Sequence, residues 1–223
     1  MITISGLTKT HGLAMALSGI DLSIARGESV ALIGSRSDGR TMLMRILATL
    51  APPTSGTIAI GGFDVVAEVY RVRRLVAYAG LDRIQANRLR VVEYLRLVAG
   101  ARGQSSVNAG MAADLVGLNG DASIETLGGE LRERLPLAAV LATGADVMLL
   151  EQPFRTLDPP ATDRVCTWLV GARARGTTLV VADDKPLAGL CERTVVLRAG
   201  RIADSPADGP RDRATSVGEL VGA

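Results

Sequence analysis

The chain has 223 residues, 48% of them apolar and only 3% aromatic, with a formal charge of +2. That length fits one large domain, or a domain with a small insertion, burying roughly 70% of its unfolded surface. The near-neutral balance gives no reason by itself to expect a polyanion partner, and with six aromatic residues the core must be Val, Leu, Ile and Ala. Such a composition suits a parallel sheet covered by helices. Lys9 and Lys185 are the only lysines against 23 arginines, a bias read as genomic composition. Cys166 and Cys191 form no CxxC pair and read as reduced, buried thiols. No secretory signal opens the sequence, and no apolar run approaches the 18 residues of a membrane span.

In chain order, three β-rich runs come first: MITISGL, ALSGIDLSIARGE and SVALIG. The loop SRSDG then leads into RTMLMRILATL, where Met42, Leu43, Ile46, Leu47 and Leu50 recur at helical spacing and Pro52 and Pro53 stop the helix. TSGTIAIGG and LVAYAG read as further strands. From about residue 83 to 143 the pattern turns helical, through VVEYLRLVAGA, NAGMAADLVGL and GELRERLPLAAVLATG, which suggests an inserted subdomain. DVMLLEQP, TTLVVAD and RTVVLRAG then read as strands, with ATDRVCTWLVGARARG as a helix and GRIADS as an edge strand or turn. The tail from Asp208 to Arg213 is polar and reads as a loop, with a short helix near the end. Strands alternating with helices predict a mixed α/β fold with a parallel central sheet, and residues 1–223 are expected to form one domain.

The strand–loop–helix from Val30 to Leu50 carries Gly34-Ser35-Arg36-Ser37-Asp38-Gly39-Arg40-Thr41. A phosphate-binding loop follows G-x-x-x-x-G-K-[ST] between a strand and a helix. Spacing and context match, but Arg40 stands at the lysine. The loop amides and helix N-terminus make an anion nest the expected function, and Thr41 keeps a hydroxyl where Mg²⁺ would be held. Arginine keeps the charge, yet its planar head is no substitute for a compact ammonium between two phosphates. The plainer reading is a turn that only inherits this shape.

The likeness extends well past one loop. GIDLSIARGESVALIG, LATLAPPTSGTIAIGGFDV, LGGELRERLPLAAVLATGADVMLLEQPFRTLDP and AGRI together resemble the nucleotide-binding subunit of ABC transporters, nearest the drug-exporter type, over residues 1–205. The resemblance implies a P-loop NTPase fold of ABC type, with an antiparallel N-terminal β part and a helical subdomain set into it. It further implies ATP and Mg²⁺ as cofactors, a transmembrane subunit or a second ABC-type subunit as partner, and a cytoplasmic place at the inner face of the membrane.

Position by position, the resemblance also marks losses. The LSGGQ signature reads Thr126-Leu127-Gly128-Gly129-Glu130, so two glycines remain for close approach to a phosphate but the serine is Leu127, which has no donor. Walker B places Glu151 at the metal-facing aspartate and Gln152 at the general base, where a neutral amide cannot accept a proton. The Q-loop glutamine falls at Leu81. The switch histidine falls at Asp184, with Asp183 equally open. His11, the only histidine, stands where the family has an aromatic stacking on adenine; a surface-loop histidine is the plainer alternative. Leu157-Asp158-Pro159 keeps the D-loop.

General acid–base help is worth about 10²–10⁴ in rate, and preorganised charge about 10²–10³ per group. The altered set therefore implies slow or absent hydrolysis, with nucleotide binding left open and cofactors weakly held or absent. Three roles follow: a structural or regulatory pseudo-ATPase in an ABC-type membrane complex, a subunit that clamps ATP in a dimer, or a soluble regulatory or nucleic-acid-associated cassette. Eight arginines between Arg71 and Arg102 read first as a solvated face. Scarce aromatic interleaving argues against nucleic acid.

Overall fold

A computed structural model of the chain describes residues 1–203 apart from 13, 83, 85, 87, 103–107, 186 and 188, and excludes the side chain of His11. The tail expected to end in a short helix lies outside the described residues. Strand β1 (Ile2–His11) alternates buried Ile2 and Ile4 with exposed Thr3 and Ser5. It pairs antiparallel with β2 (Ala14–Ile24) on one side and β4 (Ser55–Ile60) on the other. The registers set Ile2 opposite Ile24 and Ile60, and Ile4 opposite Leu22 and Ile58, so one face is a continuous apolar ridge. The two-residue β5 (Phe63–Asp64) completes this sheet, in the order β2-β1-β4-β5.

The second sheet begins with β3 (Ser29–Ile33), followed by α1 (Arg40–Leu47). A short helix α2 (Val69–Leu75) leads into β6 (Val76–Ala79). Among the described residues, four α-helices lie between β6 and β7 (Val147–Glu151): α3 (Val91–Gly100), α4 (Ala109–Leu115), α5 (Gly129–Glu133) and α6 (Leu135–Thr143). Helix α7 (Pro159–Ala174), β8 (Thr178–Asp183), β9 (Arg193–Arg198) and β10 (Arg201–Ala203) follow. The sheet order is β10-β9-β3-β8-β7-β6, parallel from β9 to β6, with β10 antiparallel at the edge. Every residue of β7 is buried, as expected for a strand covered on both faces.

Two apolar clusters fill the molecule. One unites the antiparallel sheet, one face of the parallel sheet and α1, whose Leu43, Met44, Ile46 and Leu47 are buried between them. The other joins the opposite face to α3, α4, α6 and α7. The ends of β3, β7 and β8 consequently meet, and Gly34, Gln152 and Asp184 leave them side by side. A crevice outside the carboxyl ends of parallel strands is where α/β proteins bind ligands.

Some boundaries differ from the pattern in the sequence. Helix α1 ends at Leu47, before the prolines expected to stop it, because Thr49 takes a left-handed φ of 59° and Leu50 N donates to Arg45 O at 2.8 Å. Arg73 of α2 holds that turn, with Nε donating to Thr49 Oγ1 at 2.8 Å. The run read as one helix from Gly129 is two, since Pro136 restarts the backbone within the first turn of α6. Helix α2 is absent from the sequence reading altogether.

Candidate functional site

Residues Gly34–Thr41 wrap the end of β3 and the start of α1. Gly39 must be glycine: its φ is 89°, and a Cβ there would lie 2.3 Å from Ala16 O. Arg36–Asp38 form one 3₁₀ turn, in which Asp38 N donates to Ser35 O at 3.2 Å and Gly39 N to Arg36 O at 3.4 Å. Asp38 Oδ2 accepts from Ser35 N at 2.8 Å and from Ser35 Oγ at 2.6 Å, while Ser35 Oγ lies 2.7 Å from Ser37 Oγ. Asp38 Oδ1 accepts from Ala199 N at 2.9 Å, across the β9–β10 turn. These donors, the Ser35 hydroxyl first, pull the Asp38 carboxyl down to about 2. Arg40 is buried, with Nη1 donating to Gly34 O at 2.7 Å and Nε without a partner among the described residues.

Glu151 closes β7 and is buried. One carboxylate oxygen accepts from Thr41 Oγ1 and the other from Tyr78 Oη, the latter at 2.9 Å. Burial, then the neighbouring Glu151 charge, push the Tyr78 hydroxyl well above its ordinary range. Tyr78 is the residue the sequence reading missed. Strand alternation in β6 offers the signal, because Val76 and Tyr78 share the face towards α1 while Ala77 and Ala79 take the other. Gln152 follows with a left-handed φ of 46°, its N–H donating to Ala182 O at 2.8 Å. A non-glycine residue in that region is uncommon and marks a tightly determined turn.

At the end of β8, Asp184 N donates to Asp183 Oδ1 at 2.8 Å. Burial, then a side-chain hydrogen bond shared with the Asp184 carboxyl, push Asp183 up to about 6 against the opposing pull of the Asp184 N–H, and that side-chain bond pulls Asp184 down. Arg40 is among the charges that lower Asp184. Gly34 N donates to Asp183 O at 3.4 Å.

The remaining candidates are set apart from the loop. Gly128 precedes α5 and Gly129 opens it, and a Cβ on either would meet nothing within 4 Å. Leu127 packs its side chain against the helical cluster, an apolar anchor for α5 in place of a hydroxyl. Leu81, Leu127, Gly129, Glu151 and Gln152 line one cleft of ≈ 220 Å³. Asp158 caps α7, accepting from Ala161 N at 2.8 Å, and lies 3.7 Å from Arg134 Nη1. His11 ends β1.

Several of the groups that would meet Mg-ATP are engaged within the protein in this structure. The Ser35 amide is taken by Asp38, the Asp38 and Gly39 amides close their own turn, and both Glu151 oxygens already have protein donors.

A loop of this spacing between β3 and α1, beneath an antiparallel sheet and beside a block of helices, defines a P-loop NTPase fold of ABC type. A family described as ABC transporter matches residues 17–155. A daunorubicin resistance ATP-binding protein of Streptomyces coeruleorubidus is 32% identical over 93% of this chain and 68% of its own length. An aliphatic sulfonates import ATP-binding protein of Nocardia farcinica is 36% identical over 95% of this chain and 84% of its own. Among solved structures, a dimeric ATP-binding cassette in a post-hydrolysis state bound to ADP and Pi superposes with a TM-score of 0.81 at 21% identity, covering 91% of this chain and 96% of the other. The chain belongs to the ABC transporter ATP-binding family.

Proposed function

We propose that the chain is a structural or regulatory subunit of an ABC-type membrane complex, cytoplasmic and peripheral at the inner face of the membrane, with weak nucleotide binding and hydrolysis absent or very slow. The whole chain acts as one nucleotide-binding-type domain, with the helices between β6 and β7 as its inserted subdomain. The observation that carries this reading is Gln152 at the end of β7, a neutral amide where a base is needed, beside a Glu151 whose oxygens are both engaged. Arg40, Leu127 and Asp184 support it, since phosphoryl transfer depends on positioning and electrostatics and these groups alter both.

Among the described residues no helix is long and apolar enough to cross a membrane, so membrane attachment falls to a transmembrane partner or a second cassette, as in the transport-related names of the relatives above. Phosphate release from Mg-ATP by the purified chain, compared with Gln152→Ala, tests the reading. Equal, background-level rates are expected, and turnover well above the variant would overturn it.

A further inference from the structure

The buried carboxylate of Glu151 is held from two sides. One oxygen accepts from Thr41 Oγ1 at the start of α1, and the other accepts from Tyr78 Oη of β6 at 2.9 Å. The Tyr78 ring packs against the apolar cluster that contains α1. Its phenol head rests on Gly80, where an added Cβ would collide with Tyr78 Oη. Thr41 and Glu151 are hard oxygen groups that meet although 110 residues separate them in the chain. Such a pair suits a divalent cation of the Mg²⁺ type, which takes one or two carboxylates and leaves its other positions to phosphate and water. A glutamate in this place has one more side-chain torsion to fix than the aspartate expected there.

We propose that Tyr78 is a positioning residue for Glu151: by fixing one carboxylate oxygen it keeps the other turned to Thr41, where a divalent cation bound with nucleotide would be held. The idea deepens the weak nucleotide binding proposed above and rests on it. Tyr78 acts only through Glu151 and touches neither cation nor nucleotide. Its bond uses the oxygen that Thr41 does not, so it can persist when the bond from Thr41 gives way to a cation. A hydrogen-bond partner behind a ligating carboxylate sets its orientation, and losing that partner typically costs about 10–100-fold in metal affinity. Gly80 belongs to the same arrangement, since it leaves the room in which the phenol head lies.

The test is the affinity of the full chain for ATP by calorimetry, in EDTA and in Mn²⁺, on wild type, Tyr78→Phe and Gly80→Ala. Wild type should bind ATP more tightly in Mn²⁺. Phenylalanine removes the donor, and alanine at position 80 displaces the same hydroxyl without deleting it. Each should lose about tenfold of the Mn²⁺-dependent gain while affinity in EDTA stays unchanged. Adding Tyr78→Phe to Glu151→Ala should change nothing further, because the effect runs through that carboxylate. A purely structural Tyr78 would lower the melting temperature and leave the gain intact, or weaken binding equally in both conditions. Either result in a folded variant overturns the proposal, as does a wild type with no Mn²⁺-dependent gain, including one that binds no ATP. The readout is binding, so it stays separate from the hydrolysis assay: turnover above Gln152→Ala defeats the pseudo-ATPase reading, whereas an intact gain in the variants defeats only the role of Tyr78.

Discussion

The buried carboxylate of Glu151 depends on Tyr78 for one of its two donors. Tyr78→Phe keeps the ring but leaves that oxygen unpaired, and should cost about 1–3 kcal/mol of stability, read from denaturant midpoints at unchanged slope. Asp183 gives a second residue-scale expectation. Its carboxyl is pushed up to about 6 from an ordinary value of 3.8, so between these the folded state binds the extra proton. Stability contributed by protonated Asp183 is therefore lost as pH rises from about 4 to about 6. Asp183→Asn should remove that fall from a melting-temperature profile, and an unchanged profile would assign the fall to another group. At this scale the sequence was most informative where a residue type was wrong for its place, as at Arg40 and Gln152. It was silent on Tyr78 and on the bond from Ala199 to Asp38, because the partners lie far along the chain, 73 residues for Tyr78 and Glu151 and 161 for Asp38 and Ala199.

Among the elements, those with a strong period or a buried run were legible: β3, β7 and β8 as apolar strands, and α1 from its spaced Leu and Ile. Helix α2 was not, since only seven residues form it and Val72 alone is buried, leaving no apolar stripe to read. The end of α1 was misplaced because the stop is a left-handed Thr49 held by Arg73 from another helix, not the proline downstream. A similar strain sits in the β9–β10 turn, where Ala199 has φ 47° and Gly200 φ 75°. Alanine in that region costs about 1–2 kcal/mol relative to residues that adopt it readily. Ala199→Asn keeps the N–H that Asp38 accepts and should stabilise the chain by about 0.5–1 kcal/mol in chemical denaturation. A loss of stability would mean that the turn tolerates no side chain beyond Cβ.

For the molecule as a whole, the competing reading is a clamp, in which a base replaced by glutamine holds ATP between two closed subunits. Closure needs the nucleotide to be gripped on one side by the phosphate loop and on the other by a partner's signature segment. Here Asp38 and Arg40 engage the loop from within, and Leu127 faces its own helical cluster where a serine would face the partner. Asp158 is also committed, as the cap of α7 and in its approach to Arg134. On the proposed reading these features would weaken both faces of the same sandwich, and groups that act as a unit do not compensate one another singly. The expected outcome is that millimolar Mg-ATP leaves the elution of the purified chain unchanged in size-exclusion chromatography. Gln152→Glu, which restores only the base, should raise phosphate release by less than about tenfold, because general-base help of 10²–10⁴ requires a correctly placed phosphate to act on. An ATP-dependent dimer of wild type would favour the clamp, and a large gain from Gln152→Glu alone would mean that the loop already positions nucleotide.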